Sequence, residues 1–283
     1  MSLQSFDDPA GGGDHPARLA QLRARLAADG LDGFIVPRAD AHQGEYVAEA
    51  DARLAWLTGF TGSAGFAIVT PDRAGVFIDG RYRVQVKAQV DLAHFTPVPW
   101  PETRPSDWLR EALPAGGRLG FDPWLHTRQE IETLEKALAD SGIGLIAVDR
   151  NPLDAIWTDR PAPPVGRARV HDDAFAGETS ADKRARLAAL LREEGQAAAL
   201  LTLPDSISWL LNIRGSDVPK NPVVQSFAVL SDDGHVSLFA DPAKFDDALR
   251  TRLGNEVAIL HPDGLSAALL DLEGSVRIDP ASA

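Results

Sequence analysis

The chain has 283 residues, with 28 Lys+Arg against 41 Asp+Glu, a formal net charge of −13 and no cysteine. That charge argues against nucleic acid as the main partner and against an anionic membrane surface, because both need a basic face; the missing cysteines exclude disulfides, thiolate metal sites and cysteine nucleophiles. With 44% hydrophobic residues the chain can bury real cores, its length suits two domains of ordinary size, and no run approaches the ~18 apolar residues of a membrane span.

Residues 1–13, which include Pro9-Ala10-Gly11-Gly12-Gly13, read as a disordered lead-in or a cloning scar. They have neither the basic start nor the apolar core of a secretory signal. From about Pro16 to Asp29, Leu19, Leu22 and Leu26 recur at helical spacing and predict an amphipathic helix that Gly30 stops. A short apolar strand follows over 34–36. A helix carrying Trp56-Leu57 leads to two hairpin strands, 66–70 and 76–79, around Pro71-Asp72. A helical stretch over 82–90, a short helix over 108–113, a strand over 119–122, a helix over 127–140 and a strand over 143–148 complete this half. Alternating strands and helices predict an α/β fold, a mixed sheet flanked by helices.

Residues 159–166 read Asp-Arg-Pro-Ala-Pro-Pro-Val-Gly. Three prolines in four positions favour an extended, semi-rigid connection. They set the expected boundary: a first domain over 14–160, a Pro-rich linker over 161–165 and a second domain over 166–283. The second domain repeats the first. A helix capped by Ser180 or Asp182, striped by Leu187, Leu190 and Leu191, stops at Gly195 and leads to a strand over 199–201. Trp56-Leu57 is followed by Gly62-Ser63 six positions after the Trp, and Trp209-Leu210 by Gly215-Ser216 at the same spacing. Strands over 227–231 and 236–241 flank Asp232-Asp233-Gly234, with about eight extra residues between the Gly-Ser pair and this hairpin. These matches indicate an internal duplication of an α/β unit. Residues 276–280 read as a strand entering a new element.

Several residues are candidates for chemistry. Asp40, His42 and Glu45 form an acid–His–acid cluster that could bind a divalent metal, although the spacing fits no standard ligand pattern and suits a polar loop better. Gly59-Phe60-Thr61-Gly62-Ser63-Ala64-Gly65 enters a strand rather than opening a helix, so a tight turn is favoured over a phosphate cradle. Asp79-Gly80-Arg81-Tyr82 follows a strand. Asp79 suits a cap there, and Arg81 is either an exposed guanidinium for a carboxylate or carbonyl or one half of a surface ion pair. The loop 214–222 exceeds a simple turn and hints at a functional or interface role. No HExxH, GxSxG or P-loop is present.

Taken together, the run 37–47, the Gly59–Gly65 loop, Asp79-Gly80-Arg81-Tyr82, Gly120-Phe121-Asp122-Pro123, the run 156–161, Phe175-Ala176-Gly177, the run 209–217 and Asp279-Pro280-Ala281-Ser282 resemble, in order, the three-domain Xaa-Pro aminopeptidases (aminopeptidase P) of the creatinase/prolidase superfamily. The resemblance implies two tandem N-terminal-type domains and, beyond residue 283, a "pita-bread" metallopeptidase domain holding two divalent metals, manganese in most members. It implies no catalytic residue, no metal ligand and no cofactor within this chain. It implies a parent enzyme that removes the N-terminal residue of short peptides with proline second, is cytoplasmic and forms homodimers. Here these domains would shape the substrate site and contact the catalytic domain. Arg81 matches the family's substrate-contacting arginine, and Glu45, more weakly, a position tied to activity or assembly. Gly44, Ile78, Arg83-Val84, Lys220 and Val224 depart from residues common in the family. The alternative is a non-catalytic module of the same fold that binds peptides or histones, for which a charge of −13 is suited.

Overall fold

The computed structural model describes residues 13–283, so the expectations for residues 1–12 lie outside the described residues. The chain divides into two compact units. One contains the chain up to Ala39 together with Glu49–Pro161; the other contains Asp40–Ala48 with Ala162–Ala283.

The first unit is built from α1 (His15–Ala28), β1 (Gly33–Pro37), α2 (Arg53–Thr58), β2 (Phe66–Val69), β3 (Ala74–Ile78), α3 (Gln85–Gln89), β4 (Thr96–Pro99), α4 (Pro105–Ala112), β5 (Gly117–Phe121), α5 (Arg128–Leu138), β6 (Ile143–Ala147) and α6 (Pro152–Ile156). Its six-stranded sheet has the order β4-β3-β2-β1-β5-β6. The β1–β2–β3 core is antiparallel, whereas β4, β5 and β6 add in parallel. Alternate side chains choose opposite faces, as strand geometry requires. Phe34, Val36, Ala67, Val69, Val76 and Ile78 pack with the leucines of α1 and α2, while Ile35, Ile68 and Phe77 pack with Trp108, Leu109 and Leu138 on the other face. Each large side chain removed from water in this way contributes about 1.5–3 kcal/mol.

The second unit contains β7 (Arg169–Val170), α7 (Asp173–Ala176), α8 (Ser180–Glu193), β8 (Ala198–Leu201), α9 (Pro204–Leu211), β9 (Ile213–Arg214), β10 (Phe227–Ser231), β11 (Val236–Phe239), α10 (Asp247–Leu253), β12 (Val257–Leu260), α11 (Leu265–Leu270) and β13 (Val276–Arg277). Its main sheet runs β12-β11-β10-β8-β13. Here β8, β10 and β11 are antiparallel, with β12 and β13 parallel at the two edges. Strand for strand this repeats β4-β3-β2-β1-β5, so the duplication seen in the Trp-Leu and Gly-Ser spacings extends to topology. The register agrees: Phe66 faces Phe77 across the first hairpin and Phe227 faces Phe239 across the second.

Local chemistry explains the element ends and where they differ from expectation. Thr127 and Glu130 form a reciprocal capping box that starts α5. The cap of α8 is Thr179, not Ser180 or Asp182: its hydroxyl accepts from the Asp182 backbone N–H at 3.1 Å and donates to the Asp182 carboxylate at 2.7 Å, so the helix starts one residue before the sequence suggests. The helix expected over 82–90 is broken. The Asp79 carboxylate accepts from the Arg81 N–H at 2.8 Å and winds 80–82 into a 3₁₀ turn, and the α-helix resumes only at Gln85.

One interaction occurs in both units. α1 and α8 each end at a left-handed glycine, Gly30 and Gly195. Counting back from these glycines makes Arg18 and Lys183 equivalent. Arg18 Nη1 donates to the carbonyl of Trp56 at 2.6 Å, and its guanidinium lies 4.5 Å from that indole. Lys183 Nζ donates to the carbonyl of Trp209 at 2.9 Å and also lies 4.5 Å from the indole. A cation thus satisfies a carbonyl at the C-terminal end of α2 or α9, where the helix dipole favours positive charge. Lys183 is 1% exposed and donates in addition to the Asn212 side-chain oxygen at 2.6 Å. Lys183→Met, which keeps the volume and removes the donor, is expected to cost about 2 kcal/mol in urea unfolding by stranding the buried Asn212 side-chain oxygen. Arg18→Met is expected to cost less, since His15 Nδ1 also lies 3.1 Å from the Trp56 carbonyl. Equal losses for the two variants would contradict this account.

Candidate functional site

The glycine-rich loop and the corner after β3, two separate motifs in the sequence, form one constellation in the first unit. Gly65, at φ +148, lies so close to β3 that a Cβ there would sit 2.7 Å from the Phe77 carbonyl oxygen, while a Cβ at Gly62 would enter the Phe60 ring. The loop is therefore a tight backbone approach. It presents Ser63 to the corner: the Ser63 N–H donates to the Tyr82 phenol oxygen at 3.0 Å, and the two hydroxyls share a bond of 2.7 Å. Phe60 meets the Tyr82 ring edge-on at 5.5 Å.

Arg81 stands on this support. Its guanidinium lies 5.2 Å from the Tyr82 ring centre. Nε donates to both Asp79 carboxylate oxygens at 3.1 Å, and Nη2 donates to Oδ2 at 2.7 Å. The side chain is 63% exposed and forms one half of a surface ion pair. The hydrogen bonds from the Arg81 side chain, then from its backbone N–H, hold the Asp79 carboxyl below the ordinary carboxylate range against the opposing effect of desolvation.

The second unit supplies an internal comparison. From the Phe77–Phe239 register, Asp79, Gly80, Arg81 and Tyr82 correspond to Asp241, Pro242, Ala243 and Lys244. Asp241 caps its corner in the same way, accepting from the Ala243 N–H at 2.9 Å. Lys244, in the place of Tyr82, also reaches back to its Gly-Ser loop, where Nζ meets the Asp217 carboxylate at 2.7 Å. That ion pair is buried, with side chains 6% and 0% exposed. Asp217 further accepts from the backbone N–H of Gln225 at 2.7 Å and of Gly166 at 3.0 Å. The loop 214–222, expected as a functional or interface loop, is thus pinned from within by Asp217. The first unit exposes an arginine where the second has alanine.

The other sequence candidates lie in the segment that follows β1. Asp40 is buried, and its carboxylate accepts from the His42 N–H and the Gln225 side chain, each at 2.9 Å. His42 packs on Phe227 at 4.4 Å. Glu45 is exposed and belongs to the Asp40–Ala48 stretch that groups with the second unit, whereas Arg81 lies in the first. Among the described residues no group of three or more His, Cys, Asp or Glu side chains could hold a metal ion. The donor set of the described residues does not fit a dinuclear centre. Among the described residues, no helix is long and apolar enough to cross a membrane. The sequence reading missed Lys183 and also Arg53, which is 5% exposed and forks onto Asp154 at 2.7 and 3.0 Å. The Arg53 partner lies 101 positions away, so no local pattern signals it.

Comparison with known proteins agrees with this doubled architecture. Residues 18–151 match the Creatinase/Prolidase N-terminal domain family, and residues 159–283 match a second family of the same description. The chain carries two tandem creatinase/prolidase N-terminal domains. It is 38% identical over 245 residues to a Neosartorya fischeri protein named as a probable Xaa-Pro aminopeptidase P, covering 86% of this chain and 37% of that protein. It is 37% identical over 237 residues to aminopeptidase P2 of Arabidopsis thaliana, covering 82% of this chain and 33% of that one. The crystal structure of an X-prolyl aminopeptidase from Caenorhabditis elegans, described as a cytosolic enzyme with a di-nuclear active site, superposes with a TM-score of 0.85 at 31% identity, over 91% of this chain and 44% of that one. The chain thus spans well under half the length of these relatives.

Two outcomes test the geometry. A group whose folded pKa is depressed adds stability above its unfolded value, near 3.9, that is lost as pH falls through the lower folded value. The Asp79–Arg81 clasp is therefore expected to be intact from neutral pH down to about 4. A carbon-detected titration of Asp79 should have its midpoint below that of an unpaired aspartate, and Arg81→Gln should raise it; an unchanged midpoint contradicts the clasp. In the second unit, Lys244→Met leaves the Asp217 carboxylate buried without its cation. It should cost about 3–5 kcal/mol in equilibrium unfolding, with the double variant Asp217→Asn/Lys244→Met recovering part of that loss.

Proposed function

We propose that this chain is the N-terminal, non-catalytic region of an Xaa-Pro aminopeptidase, a hydrolase that removes the residue preceding a proline at the second position of short peptides. The reading is supported by two tandem domains of this family and by extended similarity to aminopeptidases P. In this reading a catalytic domain outside these residues would hold two divalent metals, manganese foremost, which would supply an activated water. The chain's own part is to bind and orient the peptide, to contact that catalytic domain and to support a cytosolic homodimer.

The observation that carries the role of this region is the exposed arginine of the first unit at a corner where the duplicated unit has alanine. A guanidinium is always charged and donates in a planar fork, which suits a peptide carbonyl or carboxylate. Arg81 is the proposed substrate contact, and Glu45 a second one or an assembly contact. In the full-length enzyme, Arg81→Ala is expected to lower kcat/KM for an Xaa-Pro tripeptide about ten-fold, the worth of one charge-assisted hydrogen bond. Its melting temperature should stay within about 1 °C, because an exposed ion pair adds little to stability. Wild-type kinetics would remove Arg81 from the site, and hydrolysis by residues 1–283 alone with Mn²⁺ would overturn the non-catalytic role.

A further inference from the structure

We propose that Tyr82 is a positioning residue for Arg81, held in place by Ser63 of the glycine-rich loop. The proposal rests on the reading of Arg81 as a substrate contact and adds how that contact is oriented. A four-atom arginine stem on the surface samples many rotamers, and fixing it at the moment of binding costs affinity. Here two restraints act before any ligand arrives. Asp79 takes the Nε and Nη2 edge of the guanidinium. The Tyr82 ring supports its face at 5.2 Å. The ring is itself held by two hydrogen bonds to Ser63, at 3.0 and 2.7 Å, and by the edge-on Phe60 at 5.5 Å.

The duplicated corner argues that this strut is specialised. In the second unit the residue at the Tyr82 position also crosses to its Gly-Ser loop, but as Lys244 in a buried ion pair beside Ala243. Joining corner to loop therefore does not require an aromatic ring. A ring stands at this position in the unit whose corner carries an exposed arginine, where a flat polarisable face lies against the guanidinium.

The test is a kinetic double-mutant cycle in the full-length enzyme with an Xaa-Pro tripeptide. Tyr82→Phe removes both bonds to Ser63 and is expected to raise KM about five-fold with kcat nearly unchanged, the signature of lost uniform binding. Ser63→Ala leaves the backbone N–H in place and should raise KM about two-fold. In an Arg81→Ala background Tyr82→Phe should have no further effect, which a general loss of structure would not produce. If Arg81→Ala is impaired and Tyr82→Phe is wild-type, the positioning role is overturned and the Arg81 reading stands. A Tyr82→Phe loss of equal size in both backgrounds overturns the positioning role as well. Wild-type kinetics for Arg81→Ala overturns both.

Discussion

A cation from the first turns of one helix, seated on the carbonyl and the indole of a tryptophan at the end of the next, organises each half of this protein. Arg18 does this for Trp56 and Lys183 for Trp209, at the same 4.5 Å separation from the ring. The last carbonyls of a helix lack partners within it, and a donor carrying positive charge meets both that need and the dipole. The consequence is positional. Once the end of α2 or α9 is fixed against α1 or α8, the chain leaves it in a left-handed residue, Gly59 or Asn212, and is aimed at the corner that follows β3 or β11. The Gly-Ser loops can reach that corner because of where those helices stop.

From that shared frame the two halves have diverged in polarity. In the second, Lys244 and Asp217 close the corner with a buried ion pair, a solution that carries a desolvation cost and so needs the additional backbone donors Gln225 and Gly166 to complete the carboxylate. In the first, Tyr82 and Ser63 close it with neutral groups, and the charge is placed one residue earlier and outward, on Arg81. A cation facing water can be approached by a ligand, whereas one enclosed with a buried carboxylate cannot. The asymmetry between two copies of one unit is what supports the proposal of the first corner as the functional one.

Much of the fold was legible in the residues because it follows from local periodicity. Leu19, Leu22 and Leu26 announce α1, and alternating apolar residues announce the hairpins. β4 escaped such a reading because Thr96–Pro99 carries two prolines. They are tolerated because β4 is the edge of its sheet, where an N–H need not enter the ladder. The stretch Asp40–Ala48 reads as a polar loop after β1, yet Ala41 packs in a core of the second unit and Asp40 bonds Gln225, 185 positions on. No local pattern could show that.

By itself, the order of residues determined two α/β units, their duplication and the candidacy of Arg81, since turns, periods and repeated spacings are properties of neighbours along the chain. Which cations turn inward was decided only by the tertiary structure. Arg18, Lys183, Arg53 and Lys244 look no different in sequence from surface charges, and they are structural because folding brings a distant carbonyl or carboxylate within about 3 Å of each. The same folding joins Ser63 to Tyr82 and so converts two unrelated motifs into one support for an arginine.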